Sequence, residues 1–334
     1  MARKRDEYRA ADATRGKHSR AAQPQPNAAE QGGAHTAATS SNNKKNRKKR
    51  KRGRAWTVVF WIALVILILA LLALGIIGYS YWQGRQTYDE VAEAAFEAPD
   101  DAESTPLDEF VVDWDALSAI NPDIVGWIYI PDTVVNYPIV QGDDNEYYLE
   151  HDFYGQEGWA ARFGSIFLAA ENEADFSDEC NLIYGHHMAD GSMFGLIGDM
   201  IDQEVFDANR TIYILTPQGN YRLGTFALVD VDAYDNEVTV GNFYDADKLA
   251  EYLQGLIDGS LVQASDLPDV ALMEKLFMFC TCDEISSDGR YLLCAYVAES
   301  TVEGDELESI DGQTDSEDAQ AVQDAAEETE ENAS

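Results

Sequence analysis

Basic residues are scarce over most of this chain. Beyond residue 54 it carries seven Lys and Arg against fifty-seven Asp and Glu, whereas residues 1–54 carry sixteen bases and four acids. That imbalance confines any nucleic-acid-binding patch to the N-terminal block and implies that the two parts face different surroundings. Cysteine is sparse too, with four in 334 residues. No pair has the C-x2–4-C spacing of a zinc knuckle, so a structural zinc site fits poorly. Histidine numbers five, and only His151, His186 and His187 lie beyond residue 54. There is no internal repeat, which removes solenoid arrays.

What the chain does have is one long apolar run, 56-WTVVFWIALVILILALLALGIIGY-79, without a charge. About 20 apolar residues cross a bilayer core as a helix. The apolar region of a cleaved signal is shorter, about 7–15 residues, and ends in small residues. The segment that follows here, YSYWQGRQTY, is bulky and aromatic. The run therefore reads as an uncleaved signal anchor, with Trp56, Trp61, Tyr79, Tyr81 and Trp82 suited to the two interfaces. The block 44-KKNRKKRKRGR-54 abuts its N-terminal end, and only Arg85 lies close to the other. The positive-inside rule then puts the N-terminus in the cytoplasm and everything after about Tyr79 outside the membrane. On this reading the block serves topology and anionic headgroups, and no nucleic acid is expected.

The expected organisation is a disordered basic cytoplasmic tail over 1–54, a transmembrane anchor over 55–82 and a linker or stalk helix over 83–104. A folded domain follows over 105–298, then a disordered tail over 299–334, which holds fourteen acids and no base. Helical spacing of apolar residues marks DEVAEAAFEA and LDEFVVDWDALSAI. After Asn121-Pro122 the pattern becomes short β-rich runs between turn signals: 126–130, 134–140, 164–169, 181–185, 211–215, 221–234, 275–282 and 290–297. Strands spaced in this way suggest a barrel or a sandwich. One amphipathic helix interrupts them near 244–258, with Leu249, Tyr252, Leu253 and Leu256 as its apolar stripe.

The groups available for chemistry are few. His186 and His187 follow the apolar strand NLIYG, and Cys282 ends its own strand before the polar turn DEISSDG. Two strand ends can meet at one rim of a barrel, which would pair Cys282 with a histidine. Cys294 in LLCAY, and Cys280, read as core, because a free thiol packs as a small hydrophobe. A nucleophilic Cys needs a nearby cation or base to reach its thiolate form, and an acidic surround opposes that. Arg290, one of the seven bases, begins the very next strand, so a hairpin brings it beside Cys282. Arg stays charged and can donate to a developing oxyanion. Two rival readings stay open here. One is a zinc site built from Cys180, His186 or His187, Cys280 and Cys282; the other is a non-catalytic surface protein with a Cys280–Cys294 disulfide.

Several of these stretches together resemble the sortases, cysteine transpeptidases of Gram-positive cell surfaces, and in particular their class B. MFCTC followed by Arg290 is similar to the family's TLxTC motif and its catalytic Arg, with Cys280 where the family usually has Ser. YGHHM followed by DGSMF resembles the segment bearing the catalytic His, and GWIYIPDTVVNYPIVQGDDNEYYLEHDFYG resembles the N-terminal strand region. The helix near 244–258 is similar to the class B insertion. The resemblance covers roughly 105–298. It implies a mainly β fold: a closed barrel of about eight strands, with N-terminal helices and a helix inserted before the Cys-bearing strand. It implies Cys282 as nucleophile, His186 as general acid/base with His187 as the adjacent alternative, and Arg290 as stabiliser of substrate and oxyanion. The implied substrates are surface proteins or pilins bearing an LPxTG-like sorting signal, cut between Thr and Gly. The implied acceptor is lipid II or another amine, and no cofactor or metal is implied.

Overall fold

The computed structural model describes residues 43–158, 161, 163–232, 238, 241–243, 245–282 and 289–304; of 43–53, Asp232, Cys282 and Gly289 it describes the backbone alone. Most of the two expected tails, the turn 283–288 and the Cys282 side chain lie outside the described residues. The chain divides into two compact units, Met1–Leu67 and Ile68–Ser334. In the first, the described residues are all helical.

Helix α1 (Asn43–Ala95) contains the apolar run, long and apolar enough to cross a membrane. Trp56, Phe60, Ile66, Leu72 and Ile76 are exposed, as an apolar solvent would require. Past Tyr79 the same helix changes character. Ser80, Gly84, Tyr88, Val91 and Ala95 are buried, recurring every three or four residues as one amphipathic stripe. From Gly84 onward this stripe falls within the 83–104 span expected to be a linker or stalk, and Tyr88, Val91 and Ala95 are packed into the core of the second unit. Phe96 then stacks on Phe110, tilts against Trp127 and meets Tyr129 edge to face.

The next helix, α2, is shorter than the apolar spacing suggested and runs only from Trp114 to Ile120. Asp113 decides where it begins: its carboxylate accepts from the Ala116 N–H at 2.9 Å, satisfying a donor that the first turn leaves orphaned. Strands β1 (Ile124–Tyr129) and β2 (Asn136–Val140) follow, then a single turn, α3 (Tyr147–Glu150). After these come β3 (Ile166–Leu168) and β4 (Cys180–Gly185), the short helices α4 (Gly195–Asp199) and α5 (Gln203–Ala208), and the strands β5 (Thr211–Thr216) and β6 (Gly219–Asp232). The chain closes with α6 (Ala246–Asp258), β7 (Ser260–Gln263), β8 (Leu276–Cys282) and β9 (Gly289–Ser300).

The strand order is β5-β1-β2-β3-β4-β8-β9-β6-β7, and β5 also pairs with β6. Eight strands therefore close into a barrel, and β7 hangs on the outside of β6. The expected fold, mainly β with N-terminal helices and a helix inserted before the Cys-bearing strand, is the fold observed. Strand β7 is the addition: four residues are too few to show a period-2 pattern against their neighbours.

Strand β8 is apolar on both faces, LFMFC, because both are covered. Phe277 and Phe279 join the large core cluster, whereas Leu276, Met278 and Cys280 join a second cluster with Leu249, Leu253 and Leu256 of α6. Helix α6 starts where Asp245 caps the Lys248 N–H and lays its leucine stripe on the β4-β8-β9-β6 wall. That wall carries the residues of chemical interest.

Candidate active site

Strands β4 and β8 are parallel, and the last pair in their register is Gly185 with Thr281. The next residues are His186 and Cys282, so both leave neighbouring strands at the same end of the sheet. Strand β9 is antiparallel to β8 and begins where β8 finishes; its register pairs Cys282 directly with Arg290. Three adjacent strand ends thus bring together the three positions that sequence reasoning picked out. Neighbouring strands lie about 4.8 Å apart, a spacing that suits groups acting on one bond.

His186 is oriented by its surroundings. Its Nε2 lies 2.7 Å from the Leu149 carbonyl, and a carbonyl can only accept, so Nε2 carries the proton. In the neutral ring Nδ1 is then the free base. Gly164 makes this possible. Its φ is +56°, a conformation that costs most residues about 1–2 kcal/mol. A Cβ there would sit 2.7 Å from the Tyr148 and Leu149 carbonyls and 3.1 Å from His186 Cδ2. Gly164→Ala is therefore expected to displace the ring, lowering kcat/KM by about 10- to 100-fold together with a measurable drop in Tm. Peptide-cleavage kinetics and a thermal melt would check both.

The adjacent imidazole has another role. His187 bridges Met193 through its backbone, and its ring packs so closely on α4 that a Cβ on Gly198 would fall 2.6 Å from His187 Cε1. His151 stacks on Tyr147 at 3.9 Å, with Nδ1 2.7 Å from the Tyr147 carbonyl. Neither ring shares the position of His186.

Arg290 stands over Tyr184 of β4, its guanidinium carbon 6.0 Å from the ring centroid. Its Nε is buried and has no hydrogen-bond partner among the described residues. A buried charged donor left unpaired is costly, so this nitrogen is suited to an anionic or developing anionic oxygen. Burial pushes the Tyr184 phenol up to about 12, against the lowering influence of Arg290. Tyr184 therefore stays a neutral floor beneath the cation.

The remaining cysteines belong to the core. Cys180 and Cys294 are fully buried, and burial pushes both thiols up, well away from reactivity. The Cys280–Cys294 disulfide is not formed: Cys294 is a free thiol, and the register pairs it with Met278 while Cys280 faces Leu292. The zinc reading fails on distance. Cys180 begins β4 and Gly185 ends it, which puts Cys180 about 16 Å from the histidine end. Among the described residues no three His, Cys, Asp or Glu side chains gather as a metal site. Sequence reasoning overlooked Gly164, the Leu149 carbonyl and Tyr184; the only visible signal was a glycine just before the strand 166–168.

No protein-family model matches the chain. Sortase B of Listeria monocytogenes is 32% identical over 225 residues, covering 64% of this chain and 88% of the relative. Among solved structures, sortase B from Bacillus anthracis in complex with AAEK1 superposes with a TM-score of 0.55 at 29% identity, over 66% of this chain and 98% of that one. A Staphylococcus aureus sortase B–substrate complex gives 0.50 at 28% identity, over 55% and 83%. An eight-stranded barrel closed in this order, together with near-complete coverage of such relatives, means that this chain belongs to the sortases, cysteine transpeptidases, and within them to class B.

Proposed function

We propose that this protein is a membrane-anchored sortase in which Cys282, His186 and Arg290 carry the reaction. The observation that supports this most is the register: Cys282 opposite Arg290 on one side, and one residue beyond the Gly185–Thr281 pair on the other. The Cys282 thiolate attacks the Thr carbonyl of an LPxTG-like sorting signal, and a C–S bond forms. Arg290 donates to the oxyanion of the tetrahedral intermediate. As the Thr–Gly C–N bond breaks, His186 in its protonated form gives its Nδ1 proton to the leaving amine, leaving a thioester. An acceptor amine then attacks the thioester, loses its proton to His186 and expels the thiolate. The product is a new amide on a peptidoglycan precursor such as lipid II, or on a pilin lysine.

The apolar run of α1 anchors the enzyme by a single pass, with residues 1–54 in the cytoplasm and the barrel outside. This reading draws on the charge bias around that run. A complex of the S. aureus relative with its substrate lends support to a peptide substrate here.

The test is acyl-enzyme trapping. Peptides differing in the first two residues of the signal are offered without an amine, and adducts are mapped by mass. A hydroxylamine-labile adduct on the peptide containing Cys282 is expected; transfer to an added amine with the adduct on another residue would sink the assignment. Arg290 has its own expected result. Arg290→Ala should lower kcat by about 10²–10³-fold, the usual loss for one oxyanion donor. Arg290→Lys should recover only part of it, because an ammonium lacks the planar fork. Single-turnover acylation rates would measure both.

A further inference from the structure

The anchor helix does more than tether. Beyond the apolar run, one turn of α1 grips both segments that flank His186. On the first side, Arg85 donates from Nε to the Asp190 carboxylate and from a terminal nitrogen to the Asp190 carbonyl, each at 2.8 Å. Asp190 in turn accepts from the Ser192 N–H at 3.2 Å and the Ser192 hydroxyl at 2.5 Å. The loop 186–194 is closed by the Phe194 N–H donating to the His186 carbonyl at 3.0 Å. Within it Met193 holds a φ of +52°, with its N–H donating to the Tyr137 hydroxyl at 3.2 Å. A non-glycine residue keeps that conformation only where its surroundings impose it.

On the second side, the Tyr88 hydroxyl donates to the Gly164 carbonyl. It also lies 3.3 Å from Ser165 Oγ. Ser165 donates from its hydroxyl to the His151 carbonyl at 3.0 Å and from its N–H to the Tyr148 carbonyl at 2.9 Å. Those bonds hold the turn whose Leu149 carbonyl receives His186 Nε2. Tyr88 and Tyr137 meet edge to face at 5.4 Å, which joins the two sides. Gly84, one turn earlier, lets Phe163 close on the helix: a Cβ there would lie 2.3 Å from that ring.

We propose that Arg85 and Tyr88 are positioning residues for His186, so that the juxtamembrane part of the anchor sets the aim of the proton-transfer group. The inference rests on the reading of His186 as the general acid/base. The Arg85 pair is half exposed on the arginine side, so as an ion pair it contributes little to stability. What it supplies is geometry, two bonds to one residue of the loop, one to its carboxylate and one to its carbonyl.

The experiment uses the full-length chain in lipid vesicles, with Tyr88→Phe and Arg85→Ala compared with wild type. Tyr88→Phe keeps the ring and removes only the hydroxyl, so the fold should survive. Each variant is expected to lower kcat about 10-fold, consistent with a misplaced catalytic group. KM for the sorting peptide should stay within about twofold of wild type, and the pH limb of kcat that disappears in His186→Ala should shift by at least about half a unit. Wild-type kcat in both variants, or a loss of kcat with that limb unmoved, overturns the proposal. The two readings fail separately. A fully active His186→Ala enzyme would remove the catalytic assignment, whereas an inactive one beside unchanged helix variants would remove only the role of the helix.

Discussion

Replacing Cys282 by alanine is expected to reduce both peptide cleavage and transfer by at least about 10³-fold, to the level of the uncatalysed background, because no acyl-enzyme can form without the nucleophile. Tm should change by no more than a few degrees, since the position is the last of strand β8. The burial of the other thiols sharpens the test. Cys180 and Cys294 are 0% exposed and Cys280 is 4% exposed. Native enzyme treated with a small alkylating reagent should therefore take one label, at Cys282, and lose activity in proportion to it. The other thiols should react only after denaturation. A Cys282→Ala enzyme that still joins a sorting peptide to an amine would overturn the mechanism. Labelling of a second thiol at the same rate in the native state would show that Cys282 is not distinguished by its environment.

His186→Ala is expected to lower kcat by about 10²–10⁴-fold, the range for loss of a positioned general acid/base. The adjacent substitution, His187→Ala, should leave kcat within about threefold of wild type and lower Tm instead, because that ring fills space against the backbone of α4. The comparison matters because the two residues are chemically identical and consecutive. In acylation assays run across pH, the limb due to the imidazole should vanish in the first variant and persist in the second. If His187→Ala removed that limb, the assignment of roles would be reversed.

Much of this was legible in the chain itself, for reasons that differ from element to element. Strands β8 and β9 were readable because their apolar runs are continuous and end in polar turn residues, and helix α6 because its leucine stripe recurs at 3.6 residues. Strand β7 was not, since four residues carry no period. The start of α2 was misjudged because apolar spacing alone does not register Asp113, which supplies the capping carboxylate. The candidate triad was inferred from residue type and strand ends, yet its geometry depends on β4 and β8 lying side by side and parallel. These strands are separated by about ninety residues of chain. No local pattern encodes that pairing.

What the sequence determined alone is therefore local or compositional. The uncharged run is legible as one long enough to cross a bilayer, because about 20 apolar residues span its core as a helix. The alternation of strands and turns is set by side-chain periodicity. The scarcity of bases is what makes Arg290 conspicuous. Only the tertiary structure separated the two histidines, because His186 and His187 differ in what packs around them: the Leu149 carbonyl and Gly164 for one, the α4 backbone for the other. It alone also showed that residues 84–95, within the expected stalk, form a face of the core, with Arg85 and Tyr88 reaching residues about 75–105 positions away. Contacts of that range are made by the closing of the barrel, which brings distant segments to one rim, and no stretch of sequence carries their distance.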